Sequence, residues 1–92
     1  MKVNKTARGF SSIEFKDYYG AKCSLQKSSL ATKDTIWLGC DDPDPKILVP
    51  GKSWQPYPIP EEVLITTRMH LTKKEVKKLL PHLLKFIETG EI

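Results

Sequence analysis

Thr66-Thr67-Arg68-Met69-His70-Leu71-Thr72-Lys73-Lys74-Glu75-Val76 is where the chain passes from a twofold to a helical period. Read as a strand over 62–70, it puts Thr66, Arg68 and His70 on one face and Val63, Ile65, Thr67 and Met69 on the other. Thr72 with Glu75 three residues on forms a capping box, and Leu71 and Val76 flank it as a hydrophobic staple. Val76, Leu79, Leu80, Leu83 and Ile87 follow at helical spacing, and Gly90 supplies a stop, so the spacing predicts an amphipathic helix over 72–89. Pro81 lies on the lysine side of that helix, where it removes one amide and predicts a kink.

Upstream, the chain alternates. Ile13 and Phe15 face one way and Glu14 and Lys16 the other. Cys23 and Leu25 oppose Ser24, Gln26 and Ser28. Asp17-Tyr18-Tyr19-Gly20 between them carries turn chemistry, so 10–28 reads as a hairpin. Thr35-Ile36-Trp37-Leu38-Gly39 reads as a short apolar third strand. Residues 1–9 read as a flexible basic arm. Residues 41–60 read as a proline-rich loop, since six of the seven prolines lie between 43 and 60, and proline is excluded from central strands.

The sum is one α+β domain over 1–92. A small antiparallel sheet of about four strands is covered on one face by a single C-terminal amphipathic helix. One helix covers such a sheet incompletely, and Trp37, Leu64 and the proline loop must also pack. A homo-oligomer is therefore expected.

Composition narrows the class. The chain has 92 residues, 39% of them apolar, and a net charge of +4. That charge rests on thirteen lysines against two arginines, whereas dedicated DNA readers use more arginine. A nucleic-acid-binding module is thus a less favoured partner class. No apolar run is long enough to span a membrane, and the basic N-terminus has no apolar segment behind it, so a cytoplasmic location is expected. Cys23 and Cys40 read as reduced, with Cys23 in the core. A zinc site from Cys23, Cys40, His70 and His82 has the right ligand types, but no paired spacing, so no metal is expected.

Five patterns compete for function. The polar sheet face offers Gln26, Ser28, Ser29, Arg68 and His70, a donor set that suits phosphates or ribose hydroxyls; its bland counterpart is a solvated sheet face. Trp54 and Tyr57 in the loop 41–60 could stack on a base or meet a protein partner, or form a local mini-core. Asp41-Asp42-Pro43-Asp44 lacks the glycine and terminal glutamate of a calcium loop and reads as a solvated turn. Lys73, Lys74, Lys77, Lys78 and Lys85 read as the outer face of a helix, or as a grip on anions. Ser28 or Ser29 with His70 and Asp17 has triad residue types but no nucleophile-elbow motif. No catalytic residue and no cofactor are expected.

Phe15-Lys16-Asp17-Tyr18-Tyr19-Gly20, Ser24-Leu25-Gln26-Lys27-Ser28-Ser29, Ile36-Trp37-Leu38-Gly39 and Met69-His70-Leu71-Thr72, in this order and spacing, resemble a family of small bacteriophage and prophage accessory proteins. The likeness covers most of the chain outside the proline loop and transfers no catalytic residue. It implies a phage protein acting in a bacterial cytoplasm against host defence. Some small phage proteins sequester nucleotide signals, and others bind host nucleases or effector complexes. The expectation is a non-enzymatic protein that binds an anionic nucleotide. Arg68 would hold phosphate, His70, Gln26, Ser28 and Ser29 would complete the hydrogen bonds, and Trp54 or Tyr57 would cover the base. The alternatives are a protein-binding inhibitor of a host defence effector and a weak nucleic-acid-binding module.

Overall fold

Asp17 sets the first sharp reversal of the chain. Its Oδ1 accepts from the amides of Tyr19 and Ala21, both at 2.9 Å, an Asx arrangement that folds the backbone without help from elsewhere. The computed structural model, which describes residues 1–30 and 32–92, builds an α+β fold outward from this turn. Its elements are β1 (Val3–Lys5), β2 (Ser11–Lys16), β3 (Lys22–Lys27), β4 (Thr35–Cys40), β5 (Lys46–Val49), β6 (Ser53–Pro56), β7 (Arg68–Thr72) and α1 (Lys73–Thr89). The main sheet has the order β1-β2-β3-β4-β7, and β5-β6 form a separate ribbon. Every pairing is antiparallel.

Three sequence expectations change. The basic arm contains β1, which pairs with β2 through Val3↔Ile13 and Lys5↔Ser11. Alternation over three residues is too short to read, and the pairing is held by a turn in which the Phe10 amide reaches Thr6 Oγ1 at 3.1 Å. The proline-rich loop contains the β5–β6 ribbon, with Leu48 opposite Trp54. A free two-stranded ribbon has only edge strands, and Pro56 sits at the end of one, where a missing donor is tolerated. The strand expected over 62–70 is displaced to Arg68–Thr72, so Thr66 falls outside it.

Register sorts the side chains. Asn4, Ser12, Gln26, Trp37 and His70 form one cross-strand row, and Ser24, Gly39 and Arg68 lie in the next row on the same face. The opposite face carries Val3, Ile13, Leu25, Leu38 and Met69, flanked by Phe15, Cys23 and Cys40 on one side and by Ile36 and Leu71 on the other. This is the polar and apolar division expected from the alternation.

The helix forms as its signals require. Thr72 is the N-cap and the capping box with Glu75 is complete. The Gly90 amide donates to Phe86 O at 2.8 Å. Helical structure continues through Pro81. The cover over the sheet is limited to the helix start, however. α1 packs on β7, the strand it continues, and no helical residue is buried. Among the described apolar residues only Cys23, at 5% exposure, is buried. The Cα radius of gyration is 16.6 Å, against about 12 Å for a compact domain of this length. A helix that starts directly from the end of an edge strand leaves along that strand, and no loop folds it back over the sheet.

Candidate functional site

The polar face converges on Trp37. In β4 its indole stands between Gln26 of β3 and His70 of β7, its two cross-strand partners. The His70 and Trp37 rings meet edge to face, with centroids 4.8 Å apart and planes at 67°. The Arg68 guanidinium carbon lies 4.8 Å from the Trp37 ring centroid, within the range of a cation–π contact.

Gly39 makes that contact possible. It pairs with Arg68, so Arg68 has no side chain directly across from it and extends to the diagonal neighbour, Trp37. Gly39 also has φ +150°, and a Cβ there would lie 2.5 Å from Thr67 O and 2.9 Å from Arg68 Cα. Only glycine admits this approach of the β7 backbone. The Thr67 hydroxyl closes the junction by donating to Cys40 O at 2.7 Å.

The electrostatics of the face are mixed. Arg68 forms no ion pair among the described residues, and Trp37 Nε1 is buried without a hydrogen-bond partner. On the same face, Gln26 Nε2 donates to Ser24 Oγ at 3.0 Å, and Ser24 Oγ donates to Asp41 Oδ1 at 2.5 Å. Those carboxylate and amide groups are already engaged. Arg68 therefore brings a positive charge without a carboxylate partner among the described residues to the β7 side of Trp37.

On the other side of Trp37 is a hollow of 280 Å³ bounded by Arg8, Phe10, Gln26, Ser29 and Trp37. Arg8 lies 5.8 Å from the Phe10 ring centroid. Both arginines of the chain thus stand near Trp37. Arg8 and Trp37 are absent from the set expected from sequence. Arg8 fell in what read as a flexible basic arm, and Trp37 read as an apolar strand residue left to pack in an oligomer. The one signal for Arg8 was its rarity in a lysine-rich chain.

The other expected residues are placed differently. Ser28 is buried, and its Oγ accepts from the Leu30 amide at 3.2 Å, which commits it to the loop after β3. Ser29 borders the hollow. Trp54 belongs to the ribbon, is 63% exposed, and does not border the hollow; Tyr57 lies just beyond the ribbon and is likewise exposed. A triad of Ser28, His70 and Asp17 is not assembled: Asp17 and Ser28 stand at opposite ends of β3, about 20 Å of strand apart.

Cys23 and Cys40 face each other across β3 and β4 with sulfurs 3.7 Å apart. The Ser28 amide bonds Thr35 O at 3.0 Å and the Asp41 amide bonds Lys22 O at 2.9 Å. Hydrogen-bonded pairs therefore fall at even-numbered residues of β3, and Cys23–Cys40 is a non-hydrogen-bonded pair, where side chains stand closest. Burial and then the Cys40 hydrogen bond push the Cys23 thiol above its ordinary pKa. His70 lies on the opposite face of the sheet, so the four-residue zinc set does not form. Among the described residues, Asp17, Cys23 and Cys40 each bring one ligand atom within 4.8 Å of the others, although Asp17 Oδ1 is occupied by the turn.

At the helix start, Asp34 accepts Lys73 at 3.0 Å and Lys27 at 3.4 Å, and Lys73 first and Lys27 second hold its carboxyl below the ordinary range. Lys74, Lys77, Lys78 and Lys85 form no ion pair among the described residues. No described helix is long and apolar enough to cross a membrane. Compared with family models, curated proteins and solved structures, the chain has no match.

Proposed function

We propose that this chain is a non-enzymatic binding protein that holds an anionic ligand, most simply a nucleotide, on the sheet face around Trp37. The observation that carries this reading is Arg68 lying over the Trp37 ring with no carboxylate partner among the described residues. A guanidinium held near an indole by a cation–π contact, with no carboxylate partner among the described residues, keeps donors for a phosphate, which it recognises in a bidentate way. His70 stands beside it, and the hollow next to Arg8 gives a flat base or sugar a place against Trp37. Trp37 thus takes the aromatic role that the sequence assigned to Trp54 or Tyr57. The resemblance to phage accessory proteins supplies the context: a phage-encoded protein in the bacterial cytoplasm that counteracts host defence by sequestering a nucleotide signal.

The test is calorimetry and thermal shift with cyclic dinucleotides, cyclic trinucleotides and ADP-ribose derivatives, on the parent and on Arg68→Ala. Ligand at a hundred times its dissociation constant stabilises the fold by about 2.7 kcal/mol, a shift of several degrees for a domain of this size. A selective shift that disappears in Arg68→Ala supports the reading. The same affinity in parent and variant overturns it.

A second reading has its own observation. Leu48 and Trp54 are paired and exposed on one face of the ribbon, and Ile47 and Tyr57 are exposed on the other side, apolar surface that suits a protein partner. Under that reading the chain is an inhibitor of a host defence effector. Trp54→Ala then abolishes capture and Arg68→Ala leaves it intact.

A further inference from the structure

The accessible surface of the chain is 8070 Å², whereas a folded monomer of this mass exposes about 5,400 Å². The excess is roughly 2,600 Å² per chain, or about 5,200 Å² for two chains together, at the upper end of what obligate homodimers remove from water. Much of it is apolar and sits on one element. Leu79, Leu80, Leu83, Leu84, Phe86 and Ile87 are between 42% and 77% exposed. At 100° per residue they share an arc of about 160° of the helix surface. Such a helix has no reason to remain extended in water alone: its stability in proteins comes from packing its apolar face.

The arc runs into a groove of 820 Å³ between the helix start and the apolar sheet face. Ile36, Leu71, Val76 and Leu80 line its apolar part, and Lys73, Lys74 and Lys77 stand along its rim. The far end of the same helix carries the opposite sign, with Glu88 in its last turn and Glu91 just past its Gly90 cap. Lys77 and Glu88 flank the apolar arc on the same side, about 20° apart in projection.

We infer that the groove and stripe are occupied by a second copy of this chain, with the two helices antiparallel across a twofold axis near Leu83. In that arrangement Leu79 of one copy lies level with Phe86 of the other. The C-terminal half of each helix lies along the groove of its partner. Glu88 of each copy reaches Lys77 of the other, and the two pairs are equivalent because a twofold interface is self-complementary. Antiparallel alignment also places each negative helix end beside a positive one. A parallel pair would bring the lysine-rich ends together, and its like charges oppose it.

Sedimentation equilibrium tests this. The parent sediments at about 21 kDa, twice the 10.5 kDa chain. Leu83→Asp alters a residue that a monomer leaves in water, so a monomeric protein keeps its mass and its melting temperature. The expected result is a halved mass with a large loss of melting temperature. Because that variant could also be unfolded, Lys77→Glu serves as a rim probe. It weakens the dimer by about tenfold, in line with the loss of two partly exposed ion pairs, and adding Glu88→Lys to the same chain restores it. A parent that sediments as a folded monomer at micromolar concentration overturns the inference. A Leu83→Asp dimer as tight as the parent, or a double variant no tighter than Lys77→Glu alone, overturns it as well.

Discussion

Gly39→Ala links the fold to the site most directly. The added Cβ would lie 2.5 Å from Thr67 O and 2.9 Å from Arg68 Cα. Both neighbours are backbone, so the clash is relieved only by moving β7 away from β4. Displacing packed backbone costs about 1–3 kcal/mol. Holding a non-glycine residue at φ +150° costs a further 1–3 kcal/mol or so. The stiffer unfolded chain returns about 0.4–1 kcal/mol. The terms sum to a loss of about 1–6 kcal/mol, centred near 3 kcal/mol, which is roughly 12–24 °C in melting temperature for a domain of this length. Gly51→Ala is the internal control: its φ is +78° and a Cβ there meets nothing within 4 Å, so only the backbone term operates. Both variants are unfolded in urea at one fixed protein concentration, since association adds to apparent stability. Gly39→Ala should lose clearly more than Gly51→Ala, and should lose ligand affinity too, because the β7 movement carries Arg68 off Trp37. A Gly39→Ala protein within about 0.5 kcal/mol of the parent, the range of inert surface substitutions, refutes the close approach of β7 and the site built on it.

Two further outcomes are expected. Asp34 is held below the ordinary carboxylate range by Lys73 and Lys27, and Glu75 by its hydrogen bonds with Thr72; a depressed folded pKa contributes stability above the unfolded value and loses it as pH falls through the folded one. Stability should thus decline below about pH 4, and Asp34→Asn together with Glu75→Gln should flatten that limb in pH-dependent urea titrations; an unchanged limb would show that these groups do not carry it. Diamide should close Cys23–Cys40 into an intramolecular disulfide, faster at alkaline pH because the Cys23 thiol is shifted upward, with a gain of about 3 kcal/mol from the constrained unfolded chain. Thiol titration and mass spectrometry read the bond, and two persistent thiols at high pH would rule out the cross-strand geometry.

What could be read from sequence is local. The Thr72–Glu75 capping box, the Asp17 turn and the alternation in β2 and β3 each rest on residues within about four positions, so their energetics are written in consecutive letters. The polar identity of the Gln26, Arg68 and His70 face was legible for the same reason, because alternation assigns faces without knowing strand order. Strand β1 and the β5–β6 ribbon were not legible. Three exposed residues carry no period, and proline density hid a ribbon whose strands are all edges.

The sequence by itself determined the α+β class, the β2–β3 hairpin, the helix with its caps, and which residues share a face within β2, β3 and the Arg68–His70 stretch. Tertiary structure alone decided that Trp37 stands between Gln26 and His70, that Gly39 lets Arg68 reach across, and that Cys23 meets Cys40. These depend on strand register between segments far apart in the chain, and a one-residue slip would turn every side chain of a strand to the other face. Tertiary structure also decided that the amphipathic helix leaves the sheet along β7. An apolar stripe specifies that a helix must be covered, and the path of the chain decides by what.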